Sequence, residues 1–129
     1  MGLLAPTFPH MGPAWTAAKP LPGGDIPRGD YEAFAADLCR RLPAFDPALL
    51  RALARRHGTL IDEVLGDARD TAALGRHIGH TLYEREVTHF RAHEWAMTPE
   101  DVLWRRTKTG LHIAANARRE TELSLAAMM

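Results

Sequence analysis

A single cysteine, Cys39, stands in this 129-residue chain. It can close no internal disulfide, and at a predicted helical position it reads as a semi-buried thiol of a reducing compartment rather than a nucleophile. Long apolar runs are missing as well: none approaches the ~18 residues of a membrane span. The opening Met1-Gly2-Leu3-Leu4-Ala5-Pro6 has no basic n-region, and Pro6 stands where a myristoylation signal carries Ser or Thr. Neither sign of charge is in excess, since 16 Lys and Arg balance 16 Asp and Glu. With no global field to attract a polyanion, the balance argues against a nucleic-acid binder. Internal repeats and strand-like alternation of any length are also absent. Gly23-Gly24 follows a proline-rich stretch and precedes no strand–turn–helix unit of the dinucleotide-binding kind, and no Ser-His-Asp or Cys-His arrangement is suggested by spacing. These absences leave a soluble, cytoplasmic helical domain as the expectation.

What is present agrees with that. Nearly half the residues are apolar, enough for one domain with its own core. Residues 1–29 hold six of the nine prolines and cannot form a long helix. Phe8, Met11, Trp15 and Ile26 make this arm too apolar for a solvated linker, so it is expected to lie on the helical domain or on polypeptide outside this chain. From Asp30 onward the start and stop signals are regular. Asp30 caps a helix carrying Tyr31, Phe34, Leu38 and Leu42, which Pro43 ends. Asp46-Pro47 starts the next, with Leu49, Leu50, Leu53 and Ala54 inward, Arg51, Arg55 and Arg56 on a basic outer face, and Gly58 as the stop. Thr59 with Asp62 suggests a capping box for a short third helix ending at Gly66. Residues 67–80 read as a loop with one helical turn near 71–77, and 114–125 as a frayed terminal helix. The expected architecture is all-α: a small orthogonal bundle of five or six helices over residues 30–129, preceded by the proline- and glycine-rich arm.

Residues 81–110 are the most clearly marked. Thr81 with Glu84 predicts a helix reaching about Trp95, and Thr98-Pro99 with Asp101 predicts another that stops at Gly110. Leu82, Tyr83, Val87 and Phe90 form the apolar arc of the first, which also contains Glu86, His93 and Glu94. On the second, Leu103, Trp104 and Thr107 share an arc beside Arg106, while Arg105 and Lys108 face solvent or a partner. A connection of about three residues favours an antiparallel pair, in which Arg106 meets Glu86 or Glu94.

One constellation resembles a metal site. Glu86, His89 and His93 fall within about 60° of one another on a helix, and His77 and His80 are near in sequence. A di-iron bundle needs two Glu-x-x-His motifs, and only Glu86-x-x-His89 is present. Seven histidines in a chain of this length produce such spacings by chance. The expectation is therefore no metal, with the histidines bonded to neighbouring carboxylates.

The strings Tyr83-Glu84-x-Glu86-Val87, His93-Glu94-Trp95-Ala96 and Asp101-Val102-Leu103-Trp104-Arg105-Arg106-Thr107-Lys108-x-Gly110 resemble the C-terminal domain of the FAD-dependent (aerobic, respiratory) glycerol-3-phosphate dehydrogenases. Trp15-Thr16, Leu21-Pro22-Gly23-Gly24-Asp25, Leu65-Gly66-Asp67-Ala68 and Leu74-Gly75 follow the same order. Departures fall at His89, at Thr109 and after Ile113. The resemblance implies a full-length flavoenzyme that oxidises sn-glycerol 3-phosphate to dihydroxyacetone phosphate and passes electrons from FAD to a quinone, while peripherally associated with the cytoplasmic membrane. In that family the glycine-rich fingerprint and a Gly-Gly-Lys-x-Thr-Thr-Tyr-Arg stretch belong to the N-terminal FAD-binding domain and would precede residue 1. It follows that no residue here inherits a catalytic, cofactor-binding or metal-binding role. Residues 1–29 would be the linker from the FAD-binding domain, and the helical domain would support that domain or a homodimer, with membrane and quinone contact only through the other domain. The alternative is a free-standing helical protein-interaction or metal-binding module.

Overall fold

The computed structural model describes residues 6–10 and 12–129. The readings placed on Met1–Ala5 and on Met11 lie outside that range. The described chain is all-α apart from one tiny two-stranded sheet. Its elements are α1 (Tyr31–Arg41), α2 (Pro47–His57), α3 (Ile61–Leu65), β1 (His77–Gly79), β2 (Leu82–Tyr83), α4 (Glu84–His93), a π-helical turn (Asp101–Arg106) and α5 (Ala115–Ala126). No helix among the described residues is long and apolar enough to cross a membrane.

The first two helices form where the caps predict. Asp30 accepts from the Ala33 N–H and Asp46 from the Ala48 N–H, each at 3.0 Å, so each satisfies an otherwise orphaned donor. Tyr31 Oη donates to the Arg51 carbonyl and ties α1 to α2. Leu38, Phe45, Leu49, Leu50, Leu53, Ile61, Leu65 and Leu74 are buried together as a first core. A second core joins Ile78, Leu82, Val87, Phe90, Val102, Leu103, Ile113 and Leu125.

Two expected helix starts are displaced by tertiary bonds. The Thr59–Asp62 capping box does not form: Thr59 donates its N–H to Gly23 O, a 3-10 turn (Gly58–Leu60) runs straight into α3, and Asp62 pairs with Arg41 at 3.3 Å. Thr81 does not cap α4 either. The stretch assigned to a loop has its helical turn at Ala72–Leu74 but continues into the hairpin of β1 and β2, which buries Ile78 and Leu82. Thr81 falls in the hairpin turn, and Glu84, the first residue of α4, accepts from the Arg76 N–H at 3.0 Å.

Helix α4 ends at His93, before Trp95. Ala96 N–H donates to Phe90 O, a six-residue closure that places Trp95 in the left-handed region (φ 55°), 85% exposed. At Thr98 the predicted box is complete: Thr98 N–H and Oγ1 donate to Asp101, and Asp101 N–H donates to Thr98 Oγ1. The helix that follows widens to π geometry, with Thr107 N–H reaching back five residues to Val102 O. Its stop is Lys108 (φ 58°) rather than Gly110, and the Lys108 ammonium folds back on to the Trp104 carbonyl. Gly110 serves packing instead, because a Cβ there would sit 2.7 Å from the Trp104 indole. The terminal helix has the expected length, displaced by one residue, and its end is tied down: Leu125 is buried, Arg118 lies over the Trp104 ring at 5.2 Å, and Arg91 donates to the Met129 carbonyl.

The arm is not uniformly extended. It contains short 3-10 turns at Thr16–Ala18 and Pro27–Gly29, and its Leu21–Ile26 stretch lies against Tyr31 and the C-terminal end of α2. Phe8 and Trp15 are exposed. The anchor is an approach of two glycines: a Cβ at Gly58 would meet Gly23 O at 1.9 Å, and Gly58 has φ 56°. Gly58→Ala is expected to cost more than about 1 kcal/mol and to release the arm. A lowered urea midpoint together with new protease cleavage before Asp30 checks this.

Candidate functional site

The chemistry of the molecule gathers where the end of α2 meets the first turns of α4. Glu86 lies at the third position of α4, on the arc that buries Val87 and Phe90, and its side chain is 2% exposed. Such a carboxylate needs compensation, and three groups supply it. Arg56 forms a bidentate pair, Nε to Oε1 at 2.6 Å and one terminal nitrogen to Oε2 at 2.9 Å. The same guanidinium donates to Thr81 Oγ1 and the Thr81 carbonyl, both at 3.0 Å. His57 Nε2 lies 2.7 Å from Glu86 Oε1. An ionised carboxylate only accepts, so the proton of that bond is on Nε2, and Nδ1 is left for another partner.

Beside this network lies a cavity of about 310 Å³ lined by Pro22, Arg56, His57, Leu60, Glu63, His89, His93 and Glu94. The His57 ring stacks on Phe90 at 5.4 Å and meets the His89 ring edge-on at 5.7 Å. His93 tilts against His89 at 4.8 Å. Burial pushes the His89 pKa below its ordinary value and nearby His57 and His93 add to the shift, with Glu94 and Glu63 partly opposing it. Glu94 turns Oε1 toward His89 Nε2, 3.9 Å away, and Oε2 toward Arg106 Nε at 3.2 Å. That second contact is a charge pair without an aligned hydrogen bond; Arg106 makes its hydrogen bond to the Glu94 carbonyl, at 2.6 Å.

Residues 14–129 match the family model of the C-terminal domain of alpha-glycerophosphate oxidase. The chain belongs to this family. It is 43% identical over 111 residues to a glycerol-3-phosphate dehydrogenase of Pseudomonas aeruginosa and 42% identical over 113 residues to the aerobic glycerol-3-phosphate dehydrogenase of Escherichia coli. It is also 42% identical over 111 residues to the D-erythritol 1-phosphate dehydrogenase of Brucella abortus. These alignments cover 86%, 88% and 86% of the chain but only 22% of each relative. The chain thus spans about a fifth of the length of the relatives it matches.

In this C-terminal domain, Arg106 of the π-turn pairs with Glu94, while Glu86 of α4 is taken by Arg56 and His57 of α2. The basic outer face is corrected accordingly. Arg51 pairs with Glu32 and Arg55 lies over the Tyr31 ring, but Arg56 is half-buried against Glu86. The signal for this was the spacing of His57, which falls four residues after Leu53 and three after Ala54, on the buried arc of α2. The set Glu86, His89 and His93 does not converge, because Glu86 is held by Arg56 and His57. His77 and His80 lie apart, with His77 Nε2 on the His80 carbonyl and His80 stacked on His112. Arg105 is paired with Asp101 at 2.6 Å rather than free for a partner.

Removing the acid strands Arg56 and His57 in a nearly dry setting. Glu86→Ala is expected to destabilise the domain by about 3–5 kcal/mol, against roughly 0.5 for Arg105→Leu, whose ion pair is half-exposed. Urea midpoints of the two variants decide between them.

The capping box supplies a pH dependence. Bonds from the Thr98 hydroxyl and the Met97 N–H hold the Asp101 pKa down to about 2, with help from Arg105. A folded-state pKa below the unfolded value contributes stability that is complete above about pH 4 and is lost as pH falls through about 2. Asp101→Asn should flatten the acid limb of a melting-temperature profile in that window. An unchanged limb would show that another carboxylate carries it.

Proposed function

We propose that this chain is the C-terminal helical domain of an FAD-dependent enzyme that oxidises sn-glycerol 3-phosphate to dihydroxyacetone phosphate and delivers the electrons to a quinone. The observation that carries this reading is the family match over residues 14–129, joined to relatives named as glycerol-3-phosphate dehydrogenases of which the chain covers 22%. In this reading residues 1–29 lead from the FAD-binding domain, and residues 30–129 pack on that domain and support it or a homodimer. The active site, the quinone contact and the peripheral attachment to the cytoplasmic membrane belong to the other domain.

Four of the helix starts are ill suited to a flavin. FAD needs a helix N-terminus for its pyrophosphate. The starts of α1, α2 and the helix at Pro99 are occupied by the carboxylates of Asp30, Asp46 and Asp101, and the first turn of α4 carries Glu84 and Glu86. Each sets negative charge where a phosphate would sit. The domain's part is therefore to position and cover its neighbour, and no catalytic step runs through its residues.

The similar identity to an erythritol-phosphate enzyme makes substrate choice a property of the rest of the protein. The test uses the full-length reading frame, purified with bound flavin, and follows the reduction of an artificial acceptor. Glycerol 3-phosphate is expected to give at least a tenfold higher kcat/KM than D-erythritol 1-phosphate; the reverse order would overturn the substrate. The 129-residue chain mixed with FAD and glycerol 3-phosphate should show neither a shift of the flavin absorption band nor turnover. Micromolar flavin binding by this chain alone would refute the assignment of its role.

A further inference from the structure

The cavity beneath Pro22 holds an arrangement that the proposed function does not use. Each of His57, His89 and Glu94 offers one ligand atom within 4.8 Å of the other two, and the His89 Nε2 to Glu94 Oε1 distance is already 3.9 Å. Metal bonds of about 2.0–2.2 Å in a tetrahedral shell separate ligand atoms by roughly 3.4 Å, so closing this set takes side-chain movements of about 1 Å.

Two of the three members are oriented by other contacts. His57 gives its Nε2–H to Glu86, the carboxylate–imidazole arrangement that orients a metal-bound histidine, and keeps Nδ1 for a further partner. Glu94 has Oε2 engaged by Arg106, which leaves Oε1 toward His89. His89 is only 8% exposed, lines the cavity, and has Glu94 Oε1 at 3.9 Å from its Nε2. The cavity it lines is the place where a partner fits.

The surrounding charge has the right sign. Glu63, Glu86 and Glu94 face this region against Arg56 and Arg106, so three acids stand against two guanidiniums. His93 and Glu63 line the same cavity and can complete the shell, as can water. Two imidazoles and one carboxylate suit zinc-type cations, whereas Ca2+ and Mg2+ prefer shells built from oxygen.

We propose that His57, His89 and Glu94 bind a divalent transition-metal cation of the zinc class. The ion would join the end of α2, the middle of α4 and the segment that follows α4, and so staple the first core to the second. This site differs from the one the sequence pattern suggested, since His57 and Glu94 stand in place of Glu86 and His93, and His77 and His80 take no part.

The experiment titrates Zn2+ into the metal-stripped 129-residue chain in competition with a chromophoric chelator, with thermal melts alongside. The expected result is one equivalent bound at micromolar affinity or tighter and a melting temperature that rises with Zn2+. His89→Ala and Glu94→Gln should each weaken binding at least tenfold, while His77→Ala with His80→Ala leaves it unchanged. Glu94 is partly exposed, so Glu94→Gln keeps the test decisive if His89→Ala melts too low. Co2+ gives an independent readout: intense visible bands of four-coordinate cobalt should appear in the wild-type chain and fade in Glu94→Gln. No binding by the folded wild-type chain, or wild-type affinity in both site variants, would overturn the proposal, as would loss of binding in the His77/His80 double variant.

Discussion

A carboxylate almost without water is the constraint that the rest of this domain accommodates. Glu86 lies at the junction of two separate apolar clusters, and its bidentate partner Arg56 comes from the helix that belongs to the other cluster. Helix α3 of the first cluster also packs directly on α4 of the second, so the charge pair adds a defined geometry to an apolar contact. A buried pair of this kind adds little net stability over a well-packed apolar substitute, because desolvation offsets most of the Coulomb gain. What it adds is direction: two parallel bonds fix both the distance and the rotation between α2 and α4. Thr81, held by the same guanidinium, extends that constraint to the hairpin.

The second charge pair works differently. Arg106 and Glu94 are about a third exposed, so solvent screens their attraction, and the firmer contact is between the guanidinium and the Glu94 carbonyl. That carbonyl belongs to the end of α4, where Trp95 already takes a left-handed backbone. The turn between α4 and the π-turn is thus closed by one cation, one six-residue backbone bond and the Thr98–Asp101 box. Polar bonds from three directions define it, and Ala96 packs inward while Trp95 and Met97 remain in water.

Local signals in the sequence identified most of the helices and fewer of their ends. Asp30, Asp46 and the Thr98–Asp101 box act through bonds that span three residues or fewer, and all of them form. Thr59 and Thr81 carry equally good local signals but have distant competitors: Gly23 O takes the Thr59 N–H, and Arg56 takes the Thr81 hydroxyl. Nothing within a few residues reveals such a competitor. The hairpin was illegible for another reason, because strands of three and two residues are too short for alternation to register. At the site, the helical spacing of Glu86 and His89 was readable, whereas their meeting with His57 depends on the angle between α2 and α4. The resemblance identified the family without indicating that angle.

Each apolar cluster is drawn from one contiguous half of the chain, the first from Leu38 to Leu74 and the second from Ile78 to Leu125. Contacts within a half close short loops, which favours rapid folding, and on the ribosome the N-terminal half is complete before Glu86 has been made. Arg56 and His57 are then solvated ends of a finished helix, waiting for a partner that arrives with the first turn of α4. A chain stalled between the two halves would therefore hold Arg56 and His57 without the carboxylate that compensates them.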